Sequence, residues 1–450
     1  MNIIIVGCGK VGASLVERLS AEGHDLVVVD ISAKKVEEIS NKYDIMGIVG
    51  NGASFAIQQE AGVEKADLFI AVTTADELNL LCCLMAKKSG CATIARVRNP
   101  MYMNEIGFIR EQLGLSMIIN PELTAAREIA KLLKFPSAIK IDTFAKGRVE
   151  LLRFRLRPEI GFGGKSIMEI MSKLNDILIC AVERDNEVII PNGSFVLEDS
   201  DILSVVGSLE STAQFFEKIG VRSKKVRNSL IIGGGTVAHY LAKDLLKVGF
   251  RVRIIERDPK RCDYLTEVLP GADIINGDGS DEGLLLEEGL NYADSVVSLT
   301  GLDEENIFLS LFAKKHSSAK LVAKVNKIAF NDVVDSLDID SVIYPKYLTA
   351  DYILQYIRAR QNSSGSNVET LYQLFDGRAE ALEFSIKERS EVTDIPLMRL
   401  NLKPNLLICA INRRGRIMTP RGHNMLKVGD TVIVVTTNRG LDDICDILNK

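Results

Sequence analysis

The sequence is poor in the residues that build metal and redox centres. It has no tryptophan and only four histidines, and its eight cysteines form no CxxC pair. No His/Cys/Asp/Glu spacing resembles a ligand set, so no metal site is predicted. The cysteines mostly follow apolar neighbours and are predicted to be buried, reduced thiols. Cys8 alone lies in a glycine-rich loop, where a helix N-terminus can lower a thiol pKa, and a redox role there is the minor alternative.

Long hydrophobic runs and excess positive charge are also missing. No apolar run approaches the roughly 20 residues that span a bilayer. The chain goes directly from Met1 into a predicted strand, without a basic leader. A formal net charge of −5 gives no general attraction to nucleic acid, which is therefore not a predicted partner. These features predict a protein of the cytosol or of the cytosolic face of a membrane.

What the sequence does contain is an internal duplication with an offset of about 227 residues. The matched pairs are MNIIIVGCGKVG (1–12) with NSLIIGGGTVA (228–238), AVTTADELN (71–79) with SLTGLDEEN (298–306), and ILICAVERDNEVIIPNG (177–193) with LLICAINRRGRIMTPRG (406–422). One chain therefore carries two copies of a two-part unit.

In each copy, short apolar runs alternate with amphipathic helical stretches, which predicts βαβ units and a parallel sheet covered on both faces. About 80 residues of short strands and turns follow, with one predicted helix at 163–174. The predicted fold class is α/β, with two Rossmann-like doubly wound parallel-sheet domains, each followed by a small α+β domain. The predicted domains are nucleotide-binding domain 1 (1–136), small domain 1 (140–221), nucleotide-binding domain 2 (229–360) and small domain 2 (368–450). A basic hinge is predicted at 222–228 and a polar linker at 361–367.

The first glycine loop has every part of a dinucleotide-binding motif. A predicted strand leads into Gly7, Gly9 and Gly12, a helix follows, and Asp30 ends the next strand. The glycines allow a tight turn, a close approach to the phosphates and helix–strand packing, while the phosphates meet the helix N-terminus. An acid at Asp30 can accept hydrogen bonds from ribose hydroxyls and disfavours a 2′-phosphate, so NAD(H) or an adenine nucleotide is preferred to NADP.

The second glycine loop has the same motif, except that alanine replaces the third glycine. Gly233 and Gly235 follow a strand, Ala238 takes the packing position, and Glu256 ends the next strand. A second nucleotide site is predicted here.

Two further repeated segments follow predicted strands, where a doubly wound sheet places its ligand crevice. GNGAS (50–54), with Asn51 and Gly52, corresponds to GDGS (277–280), with Asp278; the alternative is an ordinary turn. Thr73 and Thr74 precede a helix that begins with Asp76, Glu77 and Asn79, and the second copy repeats this as Thr300, Asp303, Glu304 and Asn306. These residues are either helix caps or ligand contacts, and neither role excludes the other.

The copies differ at the residues best suited to sense phosphate charge. Arg96 and Arg98 lie near the end of the fifth predicted strand, where an arginine fork could bind phosphate oxygens. Their counterparts in the second copy are Lys324 and Asn326. If both sites bind nucleotide, they are predicted to bind it differently.

Catalytic patterns are absent. No Ser/His/Asp or Cys/His pattern stands out, and GFGGKS (161–166) lacks the spacing of a P-loop. A dehydrogenase needs a proton donor or acceptor opposite the nicotinamide. His423 lies in a turn-like PRGHN in only one of the two small domains, so we interpret it as a surface residue and predict no catalytic residues. Glu198, Asp199 and Asp201 are interpreted as acids of solvated turns, while calcium or a cyclic dinucleotide at the small domains stays an open alternative.

Together GCGKVG, Asp30, GNGAS, AVTTADELN and IARVRNP resemble the regulatory subunits of Trk-type potassium uptake systems, the TrkA family, over the whole chain. The resemblance implies two nucleotide-binding regulator-of-potassium-conductance (RCK) domains, each followed by a small TrkA-C domain. It further implies a homo-oligomeric ring, commonly a tetramer, attached peripherally to a membrane-embedded Trk-type potassium transporter or channel subunit at the cytosolic face of the plasma membrane. NAD(H), ADP or ATP would be its regulatory ligands.

The resemblance also implies a set of nucleotide contacts. In the first copy these are Gly7, Cys8, Gly9, Lys10, Val11, Asp30, Thr73, Thr74 and Arg98; in the second they are Gly233, Gly234, Gly235, Thr236, Val237, Glu256, Asp278 and Thr300. The predicted function is a non-catalytic, nucleotide-sensing regulatory subunit for potassium uptake. The alternatives are a NAD-dependent oxidoreductase and an RCK-type regulator of a different ion transporter.

Overall fold

The chain divides into two compact units, each built from both halves of the sequence. Unit 1 comprises Met1–Ala130 and Arg227–Tyr352, and unit 2 comprises Lys131–Val226 and Ile353–Lys450. Like copies therefore share a unit, although they are far apart in the sequence. The computed structural model describes residues 1–135, 138–144, 148–172, 174, 177–185, 187–219, 226–326, 334, 337, 339–362 and 368–449.

Unit 1 contains two six-stranded parallel sheets. The elements of the first are β1 (Asn2–Val6), α1 (Lys10–Ala21), β2 (Asp25–Asp30), α2 (Ala33–Tyr43), β3 (Met46–Val49), α3 (Phe55–Glu60), β4 (Leu68–Ala71), α4 (Asp76–Lys87), β5 (Ala92–Arg96), α5 (Pro100–Asn104), α6 (Ile106–Gln112), β6 (Met117–Ile119) and α7 (Pro121–Lys134), whose last turn passes into unit 2. The strand order is β3-β2-β1-β4-β5-β6, the doubly wound Rossmann order.

The second sheet repeats the first. Its elements are β12 (Asn228–Ile232), α10 (Thr236–Lys247), β13 (Arg251–Glu256), α11 (Pro259–Val268), β14 (Ala272–Asn276), α12 (Glu282–Glu287), β15 (Ser295–Ser298), α13 (Asp303–His316), β16 (Lys320–Lys324), β17 (Ser341–Ile343) and α14 (Pro345–Asn362), which also continues into unit 2. The order β14-β13-β12-β15-β16-β17 matches that of the first sheet.

The central strands are buried on both faces, which explains their uninterrupted apolar sequences. Ile3, Ile4, Ile5 and Val6 of β1 are each at most 2% exposed. A parallel strand covered by helices on both sides has no polar face, so it does not alternate. The chain adds β2 and β3 on one side of β1, and then adds β4, β5 and β6 on the other side. Because the strand order reverses between β1 and β4, a crevice opens at the carboxyl ends of these two strands.

Unit 2 contains two five-stranded antiparallel sheets. Their elements are β7 (Lys140–Phe144), β8 (Val149–Arg155), α8 (Ile167–Met171), β9 (Ile177–Arg184), β10 (Glu187–Ile189), β11 (Ile202–Ser208) and α9 (Leu209–Lys218) in the first, and β18 (Val368–Leu374), β19 (Ala379–Ser385), β20 (Leu406–Arg413), β21 (Arg416–Met418) and β22 (Asp430–Thr436) in the second. Read from the first strand of each domain, the orders are β7-β8-β11-β9-β10 and β18-β19-β22-β20-β21, so the two sheets have the same topology. This confirms the predicted fold class.

The two small domains share one hydrophobic core. The rings of Phe144 and Tyr372 lie edge to face with centroids 4.4 Å apart, and the Tyr372 hydroxyl donates to the carbonyl of Thr143 at 2.7 Å. Arg378 forms an ion pair with Glu183 of the other small domain. The core contains apolar residues of both domains, so each small domain buries surface against its own repeat.

The first small domain differs in helix content from the prediction. Helix α8 is shorter than the predicted 163–174, and α9 has no predicted counterpart. The polar sequence of α9 gives a weak local signal, and its stability comes from packing, with the rings of Phe215 and Phe154 5.6 Å apart. Most of the predicted hinge (222–228) and linker (361–367) lies outside the described residues.

One of the acids interpreted as a solvated turn is buried. Asp201 is 2% exposed and accepts two hydrogen bonds from Arg184, each 2.8 Å long, so its interpretation was wrong. Glu198 and Asp199 are exposed, as expected. The second small domain repeats the buried pair as Asp430 with Arg413, at 2.8 and 2.7 Å. Of the described helices, none combines the length and apolar character that crossing a bilayer requires.

Candidate functional site

The first glycine loop joins β1 to α1 at the crevice. Gly7 has φ of +107°, and a Cβ there would lie 2.9 Å from the backbone nitrogen of Thr73. A Cβ added at Gly12 would lie 1.9 Å from the Gly7 carbonyl oxygen. At Gly9, by contrast, no heavy atom of the described chain lies within 4 Å of an added Cβ, its own chain neighbours and helix backbone apart. Gly7 and Gly12 therefore serve the turn and the packing, while Gly9 faces open space at the helix N-terminus.

Asp30, at the end of β2, binds the backbone of the first glycine loop. Its carboxylate accepts hydrogen bonds from the backbone N–H of Cys8 at 2.7 Å and of Ser32 at 2.9 Å. Lys10 is exposed at the first position of α1, and Val11 is buried behind it. The Cys8 thiol is buried, and burial, followed by the charge of Asp30, raises its pKa to about 12. The helix N-terminus therefore does not activate this thiol, and the redox alternative loses its support.

The second loop has the same backbone path. Gly233 has φ of +97°, and an added Cβ at Gly235 meets no heavy atom of the described chain within 4 Å, under the same definition. Thr236 and Val237 begin α10, the first half-buried and the second buried. Ala238 is fully buried at the position of the third glycine. The second loop thus accommodates a methyl group for which the first has no room.

Glu256 takes the role of Asp30 with a longer side chain. It accepts from the backbone N–H of Gly234 at 2.7 Å and of Asp258 at 2.8 Å. Arg261 adds a contact of the second copy, donating from Nε to the Gly234 carbonyl at 2.7 Å. Both carboxylates thereby lie at the base of their loops, where oxygen lone pairs remain for a ribose.

The predicted turns after β3 and β14 are Asx turns. Asn51 and Asp278 each accept a hydrogen bond from the backbone N–H two residues on, at 3.0 and 2.9 Å. A Cβ at Gly52 would lie 2.3 Å from a methyl of Val6, so this turn packs directly on the end of β1. Asn51 and Asp278 are exposed at the rim of the crevice.

A buried asparagine shapes the next part of each site. Asn79 accepts from the backbone N–H of Thr73 at 2.8 Å and donates to the Arg96 carbonyl at 2.9 Å. Asn306 makes the same two bonds to Thr300, at 2.8 Å, and to the carbonyl at the end of β16, at 2.9 Å. These asparagines join the ends of neighbouring strands, and their repetition in the sequence was the signal for them.

Arg98 lies beside the threonines but is held by the protein. Its guanidinium donates to the Thr74 carbonyl and lies 3.6 Å from Asp76, which also accepts the Arg98 backbone N–H at 2.8 Å. Its counterpart Asn326 donates instead to Asp303, from backbone and side chain, at 2.9 Å each. Arg98, which the sequence predicts to bind phosphate, therefore lies close to the first site with its guanidinium turned back onto Thr74 and Asp76.

The two neighbouring cationic side chains, Arg96 and Lys324, bind other groups of the protein. Arg96 forms an ion pair with Glu122 at 3.1 Å, and burial lowers its pKa. Lys324 donates to the Leu299 carbonyl at 3.2 Å, and burial lowers its pKa as well. Both side chains lie largely buried inside unit 1, at the ends of β5 and β16, and are bonded to other groups of the protein.

Gln58 was missed by the sequence analysis. Its buried amide donates to the Gly52 carbonyl at 2.7 Å and to the Cys82 carbonyl at 3.1 Å, which holds the turn at the rim. The second copy has Leu285 at this position, so no repeat pointed to it.

Histidines and acids form no cluster of three or more metal-ligating groups in the part of the chain that the structure describes. His423 is exposed. His239 is buried in α10, and burial, with the charges of Arg261 and Lys243, lowers its pKa to about 4.

Two family models match both halves of the chain. The TrkA-N domain matches residues 3–121 and 229–345, and the TrkA-C domain matches 151–220 and 381–449. Trk system potassium uptake protein TrkA homolog 1 of Methanosarcina mazei is 34% identical over 96% of this chain and 97% of its own length. Trk system potassium uptake protein TrkA of Haemophilus influenzae is 29% identical over 98% and 96%.

Solved structures share the fold. The GsuK channel superposes with a TM-score of 0.66 at 19% identity, over 97% of this chain and 76% of that one. The GsuK channel bound to NAD gives 0.64 at 18% identity, with the same coverage. With two TrkA-N and two TrkA-C domains and relatives matched along nearly their full length, the chain belongs to the TrkA family of Trk system potassium uptake proteins.

Proposed function

We propose that this chain is a non-catalytic, nucleotide-sensing regulatory subunit of potassium uptake. It binds NAD(H), ATP or ADP at its two glycine loops and assembles into a homo-oligomeric ring, commonly a tetramer. The ring attaches peripherally to a membrane-embedded Trk-type transporter or channel subunit at the cytosolic face. Relatives named for Trk potassium uptake support this, as do GsuK channel structures bound to NAD and to ADP.

The duplicated loop geometry carries the proposal. Each loop leaves an open position, Gly9 or Gly235, at the N-cap of a twelve-residue helix. Each has a carboxylate, Asp30 or Glu256, within hydrogen-bond distance of the loop backbone. Helix N-termini bind phosphates, and carboxylates at this place bind ribose hydroxyls. The full set of predicted nucleotide contacts and the four predicted domain boundaries belong to this proposal.

The two sites differ in their response to phosphate charge. Arg98 offers a guanidinium about a third exposed at the first site, whereas Asn326 offers the second an uncharged amide bound to Asp303. ATP, ADP and NADH share an adenosine but differ in phosphate charge and bulk. A ligand shifts a conformational equilibrium only by its differential affinity for the two states, and about 1–3 kcal/mol is typical of such coupling. Arg98 is the group that supplies this difference.

The direct test is a calorimetric titration of the full chain with ATP, ADP and NADH. Arg98→Ala removes one charged hydrogen-bond donor, worth about 1.5–3 kcal/mol, so the preference for ATP over ADP at one site should fall by about 10- to 100-fold. Asn326→Ala is the matched control and should leave that preference unchanged. No nucleotide binding to the wild-type chain, or an unchanged preference in Arg98→Ala, contradicts the proposal.

A second experiment separates regulation from catalysis and from another transporter. The chain is co-purified with a Trk-type membrane subunit and reconstituted in liposomes, and potassium flux is followed with and without nucleotide. Nucleotide-dependent flux is expected only when both subunits are present. Steady oxidation of NADH with ketoacids would instead support an oxidoreductase, and unchanged flux would favour a different transporter.

A further inference from the structure

A tyrosine from the second copy reaches the backbone of Arg98 in the first. The Tyr240 hydroxyl donates to the Arg98 carbonyl at 2.8 Å and accepts from the Asn120 side-chain amide at 3.2 Å. That amide also donates to the same carbonyl at 3.3 Å. The three groups form a closed triangle of hydrogen bonds inside unit 1, where Tyr240 is 6% exposed.

The triangle completes the restraint of the Arg98 main chain. Asp76 holds its N–H at 2.8 Å, and the triangle holds its carbonyl. The Asn120 side chain is itself held in place, because its oxygen also accepts a hydrogen bond from the backbone N–H of Leu123 at the start of α7, at 2.9 Å. Burial raises the pKa of Tyr240 to about 12, so the hydroxyl keeps its proton and remains a donor near neutral pH.

Tyr240 belongs to the helix that begins at the second glycine loop. Helix α10 begins at Thr236, and a helix rises about 1.5 Å per residue, so Tyr240 lies roughly 6 Å along the helix axis from its N-terminus, where the phosphate is predicted to bind. A helix moves as a rigid rod over this length. A shift of about 0.5 Å at its N-terminus lengthens the hydrogen bond to Arg98 beyond its favourable range.

The matching helix position of the first copy makes no such hydrogen bond within the described part of the chain. That position is Ser14, which is 3% exposed and whose hydroxyl makes no hydrogen bond to any described residue. The contact thus joins the second loop to the first site's arginine through one tyrosine, and the matching position of α1 carries a serine instead.

We propose that Tyr240 is a positioning residue of the first nucleotide site, which fixes the backbone of Arg98 and transmits the position of the second loop's helix to the phosphate selectivity of the first site. The inference rests on the proposed function, because it requires nucleotides at both loops. The coupling is reciprocal in affinity.

The test isolates the first site by blocking the second. At Gly235 an added Cβ meets no heavy atom of the described chain within 4 Å, so Gly235→Asp can add a negative charge at the N-terminus of α10, which repels phosphate. In this background, Tyr240→Phe should change the ATP-to-ADP affinity ratio by about 3- to 10-fold, the effect of one hydrogen bond. Ser14→Ala removes a buried hydroxyl from the matching helix position and should leave the ratio unchanged.

Two further comparisons distinguish positioning from a merely structural role. With Arg98→Ala, Tyr240→Phe should have no additional effect on the ratio, which a double-mutant cycle measures. With an intact second loop, the first-site ratio should differ from that of Gly235→Asp, and this difference should disappear in Tyr240→Phe. Asn120→Ser, which keeps a capping oxygen for α7, should act in the same direction as Tyr240→Phe.

The outcomes separate the two proposals. A wild-type chain that binds no nucleotide overturns the proposed function. A chain that binds nucleotide with the same ratio in wild type and Tyr240→Phe overturns the inference alone. Equal losses for ATP and ADP that persist in Arg98→Ala also overturn it, because they indicate a general loss of packing.

Discussion

The third glycine of the first loop offers a sharp test of the packing argument. In Gly12→Ala the new methyl group would lie 1.9 Å from the Gly7 carbonyl oxygen, whereas an ordinary contact needs more than about 3 Å. The loop must therefore open by about 1 Å or more. Overpacking of this kind costs about 1–3 kcal/mol, and the better helix propensity of alanine returns about 1 kcal/mol. The free energy of unfolding should fall by up to about 2 kcal/mol.

The same displacement should affect binding more than stability. Moving the loop amides by about 1 Å removes one or two hydrogen bonds to phosphate, each about 1.5–3 kcal/mol when the acceptor is charged. Nucleotide affinity at the first site should therefore fall by at least about tenfold. Calorimetric titration in the Gly235→Asp background measures this loss, and urea denaturation measures the stability.

Ala238→Gly is the matched control in the second copy. It places glycine in a helix interior and should cost about 1 kcal/mol of stability, without a comparable loss of affinity. The reasoning is refuted if Gly12→Ala stabilises the protein by about 1 kcal/mol and keeps its first-site affinity. That result would mean that the first loop opens as readily as the second, and that helix propensity alone decides.

Two predictions concern buried charge. The pKa of His239 is about 4 in the folded protein and about 6.5 when unfolded, owing to burial and the charges of Arg261 and Lys243, so unfolding takes up a proton that folding releases. The contribution of His239 to the free energy of unfolding should therefore be fully present above pH 6.5 and should fall by up to about 3 kcal/mol as the pH approaches 4. Urea denaturation measures this pH dependence, which His239→Gln should lack. Asp201→Ala removes two hydrogen bonds from Arg184 and one from the backbone N–H of Glu198, while Arg184 keeps its ion pair with Glu198. The free energy of unfolding in denaturant should therefore fall by about 2 kcal/mol, and a loss below about 0.5 kcal/mol would contradict the pairing.

Much of the candidate site could be predicted because its determinants are local. The positive φ of Gly7 and Gly233, and the carboxylates that end β2 and β13, depend on a few residues around a strand–helix turn. The environment of each group could not be predicted in the same way. Cys8 was open to activation by a helix N-terminus, yet burial decided its pKa, and Arg98 was expected to face phosphate, yet it folds back towards Asp76.

The sequence by itself determined the duplication, the order of strands and helices, and the glycine loops with their acids, because apolar periodicity and glycine conformation act over short distances. Only the tertiary structure decided that like copies pair, that Asp201 is buried, and that Tyr240 meets a carbonyl 142 residues away. Such contacts depend on how whole surfaces pack. No local pattern in the chain records which of its surfaces will meet.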